Sequence, residues 1–438
     1  MKDKMAFGFQ WHITTNCLNR CTHCYMYNDE YIHEDCNFAD FMTMFDNINE
    51  FEQKYNVELP FYSLTGGSPL LNPDCEKIVE HLHKHNKIIS FLDIPEMVTP
   101  KNIELMKSNN IKGYQVSIDG LPETHDKIRG KGSFDRTVQA IKNLYLNDIY
   151  PNIMFTLSQE NKNELMPLCE FLDKTLDAFQ FAFDFVVPMG NAADTKETYL
   201  SLEDANSILK SYYNFAITKS TGKKVYLLKP SKYRAYQYSE DDQEISMQYD
   251  YPVISGCHIG WDSVAILQNG DVLPCRRLPI VLGNLKKDTF EDIFLNSELL
   301  RKFRRFQQYQ RQCGSCNYGK LCRGCPAISY ALTGDCFEKF QLCDRHDNFK
   351  FDFNETIPKF DCTNEEELEY IKRSLKNTFA MTPRKIFSYY PNIKKLMKEQ
   401  KLITSWEEKQ NWVKKIRSEC SVDELNLLQR FLKTNLYI

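Results

Sequence analysis

Several things are scarce in this chain of 438 residues, and each scarcity excludes a class of protein. No stretch approaches the roughly 20 consecutive apolar residues that a membrane span requires. The N-terminus runs from Met1 through Lys4 straight into alternating apolar and polar residues between Phe7 and Ile13, without the apolar core of a signal peptide. Net charge is also small, because 55 basic and 59 acidic side chains leave a formal −4. No broad positive field is available to grip a phosphate backbone, so nucleic acid is excluded as the main partner. Internal repeats and low-complexity tracts are absent. With 42% hydrophobic residues the chain can build two or three packed domains, which excludes a disordered tail or a disulfide-stapled miniprotein. Together these features place the protein in the cytoplasm, away from membranes.

Cysteine, by contrast, is abundant: there are 16. A reducing compartment keeps thiols free, so their clustering points to metal or redox chemistry before disulfides.

From Phe7 to about residue 220, short strand-like runs alternate with amphipathic helical stretches, the pattern of a parallel sheet with crossover helices. Strands are expected at Phe7 to Thr14, Phe61 to Thr65, Ile88 to Ile94, Gly113 to Ile118, Asn152 to Leu157 and Phe179 to Val187. Helices such as Asp74 to His85 and Phe134 to Leu146 carry apolar residues at spacings of three and four. Six such units predict an α/β fold, a partial (β/α)6 relative of the eight-fold barrel with its chemistry at the C-terminal strand ends. Residues 221–255 read as a connection, 256–348 as an irregular cysteine-rich domain, and 349–438 as a small C-terminal helical region. Thr363 with Glu366, Ser405 with Glu408 and Ser421 with Glu424 fit capping boxes there, and Thr382-Pro383 is a further helix start.

Cys17, Cys21 and Cys24 form C-x3-C-x2-C on the loop leaving the first strand. Three thiolates on one short loop can hold three irons of a cubane cluster and leave the fourth open to an outside ligand; a zinc loop is the alternative. In its position after strand one, this loop resembles that of the radical S-adenosylmethionine enzymes. The resemblance implies an open iron that chelates the methionine moiety of S-adenosylmethionine, and a 5'-deoxyadenosyl radical formed on its cleavage. Gly66-Gly67-Ser68-Pro69 stands where that family has Gly-Gly-Glu-Pro, with Ser68 departing from the usual acidic residue. Close approach of ligand to main chain makes glycine sensible at Gly66 and Gly67. By the same resemblance Ser117 lies near the ribose, Arg129 or Arg136 meets the carboxylate, and His23 packs against adenine. Val187-Pro188-Met189-Gly190 also matches the family.

A second cysteine set resembles the SPASM extension of radical enzymes that modify peptides: Cys257, Gly270, Cys275, then Cys313-x2-Cys316-x5-Cys322-x2-Cys325, and Cys343. One residue is missing between Cys322 and Cys325 relative to the usual form. The resemblance assigns Cys313, Cys316, Cys322 and Cys343 to an outer four-iron cluster, and Cys257, Cys275 and Cys325 to an inner one. Cys336 or a substrate group would supply its fourth ligand. Zinc, with His258 or His346 completing the count, competes on spacing alone. Cys36, Cys75, Cys169, Cys362 and Cys420 are scattered and read as inert thiols. His81, His83 and His85 read as a solvated helix face, and Arg301-Lys302-Phe303-Arg304-Arg305 as surface charge or an attractor for an acidic leader peptide.

The implied cofactors are S-adenosylmethionine and three [4Fe-4S] clusters. The implied activity is hydrogen abstraction from a ribosomally synthesised precursor peptide, giving a thioether, a carbon–carbon crosslink or another oxidative change. The implied partners are an electron donor such as flavodoxin or ferredoxin and, since Cys17 follows the N-terminus almost at once, a leader bound by the C-terminal helices or by a separate leader-binding protein. Formylglycine formation by a sulfatase maturase is an alternative. Arg276 counts against it, standing where those enzymes carry an acidic base. A non-catalytic zinc or electron-transfer protein is the other.

Overall fold

The computed structural model describes residues 3–5, 7–26, 34–196, 199–220, 223–227, 257–305, 323–343 and 362–379, together with positions 411 and 415. Six parallel strands form its centre: β1 (Gly8–Thr14), β2 (Phe61–Gly66), β3 (Ile88–Leu92), β4 (Gly113–Ser117), β5 (Tyr150–Leu157) and β6 (Phe179–Phe185). They pair in chain order, all parallel. The expected strands are therefore all present, with ends shifted by at most two residues, and the expected partial barrel is the fold. Helices α1 (Phe38–Lys54), α2 (Cys75–Lys84), α3 (Pro100–Ser108), α4 (Pro122–Arg129), α5 (Ser133–Leu146), α6 (Leu165–Thr175) and α7 (Leu202–Lys219) make the crossovers.

Local chemistry explains the alternation. Asn37, Thr99 and Ser201 accept from the backbone amide three residues on and so open α1, α3 and α7. Four exits from helix to strand turn on Asn56, Asn86, Asn110 and Asp148, each with φ between 50° and 59°. Asn and Asp tolerate that left-handed geometry better than other residues with a side chain.

The two faces of each strand differ in kind. Phe9, Trp11 and Ile13 of β1, Leu64 of β2, Phe91 of β3, Val116 of β4, Phe155 of β5 and Phe183 of β6 point outward and are buried under the helices. Burying each such side chain contributes about 1.5–3 kcal/mol. The alternate residues line the lumen: Ser63 and Ser90, whose hydroxyls meet at 2.9 Å, then Gln115, Asn152 and Gln180 side by side in register. A closed eight-stranded barrel fills this space with branched apolar side chains. Here it is polar and half-open, which suits a binding chamber.

The sheet does not stop at the barrel. Strand β7 (Lys224–Tyr226) extends it beyond β6, inside the segment read as a connection. Strands β8 (Ser263–Ile266), β9 (Asp271–Leu273) and β10 (Gly283–Asn284) extend it beyond β1, with β8 parallel to β1. Among the described residues this makes one sheet of ten strands. The cysteine-rich segment thus enters the same sheet as the barrel.

The basic run at 301–305 is not surface charge. Helix α8 (Glu298–Arg304) buries Arg304, which donates to Gly260 O (2.7 Å), Phe294 O (2.5 Å) and Glu367 Oε1 (2.9 Å). Arg305 holds the other oxygen of Glu367 at 2.5 Å. Glu367 lies on α10 (Asn364–Phe379), the helix after α9 (Pro326–Thr333), so the two arginines clamp that helix to the core. Its start is the expected capping box: Thr363 N donates to Glu366 (2.8 Å) and Glu366 N to Thr363 Oγ1 (3.2 Å). The starts expected at Thr382, Ser405 and Ser421 lie outside the described residues. Since the Arg304 and Glu367 side chains are both fully buried, Glu367→Gln leaves a guanidinium uncompensated and should cost about 3–5 kcal/mol. Denaturant unfolding of the variant measures this; a change below about 1 kcal/mol contradicts a buried clamp.

Candidate functional site

The cysteine loop leaves β1 and folds over the C-terminal ends of the strands. Cys24 N donates to Cys21 O (3.2 Å), Thr22 N to Ile128 O on α4 (3.1 Å), and Asn191 receives the loop from the far side of the barrel. The Asn191 amide meets Cys24 O at 2.9 Å and its side chain meets Cys21 O at 3.1 Å. Sequence reading missed Asn191. Its signal was its place immediately after Gly190, whose φ of 57° turns the chain back toward the loop.

Beneath the loop lies Asp119, fully buried after β4. Its carboxylate accepts from His23 Nε2 (2.9 Å), from Arg129 Nε and from Thr156 N on β5 (2.7 Å). Burial alone would raise its pKa, but the Arg129 guanidinium and the His23 imidazole hold it well below the usual carboxylate range. His23 is therefore tied by a polar bond, more than the packing role expected of it. Arg129 also sends Nη1 to Cys21 Sγ at 3.6 Å. Arg136 goes elsewhere: seven residues after Arg129 and on the next helix, it bonds Glu96 at 2.8 Å on the surface and does not line the cleft, so the carboxylate contact falls to Arg129 alone.

Gly66 and Gly67 join β2 to this loop. A Cβ on Gly66 would stand 2.0 Å from Thr14 O, and one on Gly67 2.2 Å from Asn16 O. Gly67 N and Ser68 N instead donate to those carbonyls at 3.0 and 2.6 Å. The glycines are thus required by the approach of the protein's own chain, a reason different from the one expected. Ser68 turns its hydroxyl away to Asp93, at 2.5 Å. Asp93, at the end of β3, also accepts from Ile94 N (2.7 Å) and Leu70 N (3.1 Å). Burial pushes its carboxyl up to about 7, only partly offset by those donors.

These groups surround one cleft, with about 1060 Å³ of empty space counting its mouth. Cys17, Cys21, Cys24, Gly66, Gly67, Asp93, Ser117 and Arg129 line it, together with Asp184 at the end of β6, Arg276 and Arg277. The chemistry therefore gathers at the C-terminal strand ends, as expected.

The second cysteine set approaches from the Arg277 side. Cys257 lies within electrostatic reach of both Cys275 and Cys325, and Arg277 within reach of Cys275 and Cys325 while pairing with Asp184 at 2.6 Å. Burial raises Cys325 to about 12 as a thiol. The short spacing before Cys325 is absorbed by two successive left-handed residues, Arg323 (φ 58°) and Gly324 (φ 59°). A Cβ at Gly324 would stand 2.7 Å from that of Phe340. Arg323 then reaches back to Cys257 O (2.6 Å) and Phe303 O (2.7 Å), fixing the turn against the first cysteine. Cys336 is buried in the core beside Asp335 and Lys302, apart from that trio. Cys313, Cys316 and Cys322 lie outside the described residues, which leaves Cys343 alone of the outer set.

Comparison with known proteins agrees with this geometry. Residues 11–172 match the Radical SAM superfamily, and 257–326 match the SPASM iron-sulfur cluster-binding domain. Over 339 residues the chain is 30% identical to the AdoMet-dependent heme synthase of Methanosarcina barkeri, spanning 76% of this chain and 95% of that protein. It belongs to the radical SAM enzymes with a SPASM domain. The subtilosin biosynthesis protein AlbA of Bacillus subtilis is 23% identical over 73% of this chain and 67% of its own. Among solved structures, SuiB of Streptococcus suis bound to S-adenosylmethionine superposes with a TM-score of 0.57 at 16% identity, covering 77% and 78% of the two chains. The anSMEcpe protein with bound AdoMet and Cp18Cys peptide gives 0.58 at 16%, covering 84% and 98%.

The residues of this radical SAM enzyme fit the family's cofactor. Three loop thiols share the cleft with an arginine, a serine and a buried carboxyl that lacks a cationic partner among the described residues. Other expectations are settled more simply. Cys36, Cys75 and Cys169 are buried, Cys362 sits at 3.4 Å from Glu367, and Cys420 lies outside the described residues. His81 and His85 stack at 4.2 Å against Phe45, and among the described residues no three His, Cys, Asp or Glu side chains form a single-ion site.

Asp93 makes a pH prediction. Its folded value near 7 stands above the unfolded value of about 3.9, so its contribution to stability is complete below the unfolded value and is lost as pH rises through about 7. Asp93→Asn removes that loss. Calorimetry of both proteins should show the variant gaining on the wild type by about 2–3 kcal/mol between pH 5 and 8; a gap that does not change with pH contradicts it.

Proposed function

We propose that this radical SAM/SPASM enzyme takes a hydrogen atom from an unactivated carbon of a ribosomally made peptide and leaves a crosslink or another oxidative change. The observation that carries this reading is one cleft lined both by the loop thiols Cys17, Cys21 and Cys24 and by Arg276 and Arg277, the two residues that follow Cys275. When bound, the loop cluster and S-adenosylmethionine supply a hydrogen-abstracting radical.

The chain's own residues do the rest. Cys17, Cys21 and Cys24 would hold the first cluster on a loop that Asn191 and Asp119 keep in place. Asp93 offers the acidic contact that Ser68 no longer provides, facing the ammonium of the methionine moiety, while Arg129 meets its carboxylate and Ser117 the ribose. The cleft walls shield the reacting carbon from water. Cys257, Cys275 and Cys325 would hold the inner auxiliary cluster, and Cys313, Cys316, Cys322 and Cys343 the outer one. A flavodoxin or ferredoxin would deliver the electron, and a separate protein would bind the leader.

A second reading has its own support. The 30% identity that spans nearly all of an AdoMet-dependent heme synthase favours a haem precursor as substrate over the same machinery.

Anaerobically reconstituted protein should contain roughly 12 irons per chain, four for each cluster. On reduction it should release 5'-deoxyadenosine, and Cys17→Ala, Cys21→Ala and Cys24→Ala together should abolish release while retaining about eight irons. Stoichiometric zinc without cleavage overturns the reading. Mass spectrometry of a precursor peptide co-expressed with the enzyme, set beside turnover of an iron porphyrin, separates the two substrates.

A further inference from the structure

Nearly every charged side chain that lines the cleft has a partner. Arg129 and His23 share Asp119, Arg277 pairs with Asp184, and Asp93 is held by Ser68 and two amides. Arg276 differs. It is half-buried in the cleft lining, no carboxylate lies within ion-pair distance of it among the described residues, and its guanidinium carbon stands 6.0 Å from the centre of the Tyr25 ring. A partly desolvated guanidinium facing a cavity is costly unless an anion arrives to meet it.

A second observation stands beside it. His12 lies on the lumen side of β1, paired in register with Thr65 of the cleft wall. Both of its ring nitrogens are buried, and neither has a partner among the described residues. Burial first, and Arg276 second, hold the imidazole at about 3, so it is neutral and keeps one N–H to donate. Natural cores satisfy buried polar groups, and the exceptions gather at functional sites.

We infer that Arg276, supported from below by His12, is the receiving end for a carboxylate on the substrate. This rests on the reading of the cleft as the place where substrate meets cofactor, and it adds the chemical class of the group recognised. Guanidinium binds carboxylate through two parallel donors, which fixes orientation as well as charge. The carboxylate would be held where Arg276 stands near Tyr25, beside the cysteine loop, with the rest of the substrate extending into the cleft. A peptide's carboxylate and a porphyrin's acid side chain offer the same chemistry.

Titration of reconstituted enzyme with S-adenosylmethionine present distinguishes the sources. One arm uses mesoporphyrin against its dimethyl ester, and the other a library of short peptides as free acids against the same peptides amidated. At least one acid form should bind roughly ten- to a hundredfold more tightly than its neutral form. Arg276→Gln should erase that preference and Arg276→Lys should keep part of it. His12→Leu, which removes two orphaned polar atoms, should weaken acid binding without lowering Tm. Equal binding of acid and neutral forms, binding of neither acid form, or an acid preference that survives Arg276→Gln overturns the inference. A wild type that fails to cleave S-adenosylmethionine refutes instead the reading on which it rests.

Discussion

A carboxylate buried without water must be paired with donors or it will not stay ionised. Asp119 is paired three times over, and its partners come from three parts of the chain: His23 inside the cysteine loop, Arg129 at the end of α4, and the Thr156 amide at the end of β5. Satisfying that one charge fixes the loop, the helix and the strand ends against each other. Arg129, held by Asp119, is what reaches Cys21. The site is thus built on a polar anchor beneath a loop that has little apolar surface of its own.

The barrel makes the anchor possible. Its outer faces are packed with aromatic and branched residues and supply the stability, which leaves the lumen free to be polar. Asp119, Asp93 and Asp184 follow β4, β3 and β6 or end them, so strand twist brings carboxyls to one rim. Extension of the sheet through β8 then carries the two arginines that follow Cys275 to the same cleft. Segments separated by more than 200 residues meet there because β8 lies beside β1.

Much of this was legible in the sequence. The six strands, the rim location of the chemistry and the Thr363 capping box follow from alternation, spacing and cap residues, all of which are local. What escaped was non-local. Nothing in Arg301 to Arg305 reveals that Glu367, some sixty residues on, will pair with two of those charges and that one of them will be buried. The lone serine in Gly66-Gly67-Ser68 looked like a lost contact, until Asp93 of the next strand proved to bond it. Arg129 and Arg136 were indistinguishable as motif residues, since only the fold shows that Glu96 draws one of them to the surface. The Asn and Asp residues in left-handed geometry after four helices were not singled out, although each lies in the short link between a helix and the next strand.

The account stands or falls on whether Asp119 positions the loop so that its cluster meets S-adenosylmethionine. Electron paramagnetic resonance of the reduced, reconstituted enzyme, recorded with and without S-adenosylmethionine, tests this directly when wild type is set beside Asp119→Asn. The wild-type spectrum should change on addition of S-adenosylmethionine, and the variant should lose that change while keeping the signals of its auxiliary clusters. An identical response from both proteins would contradict the account.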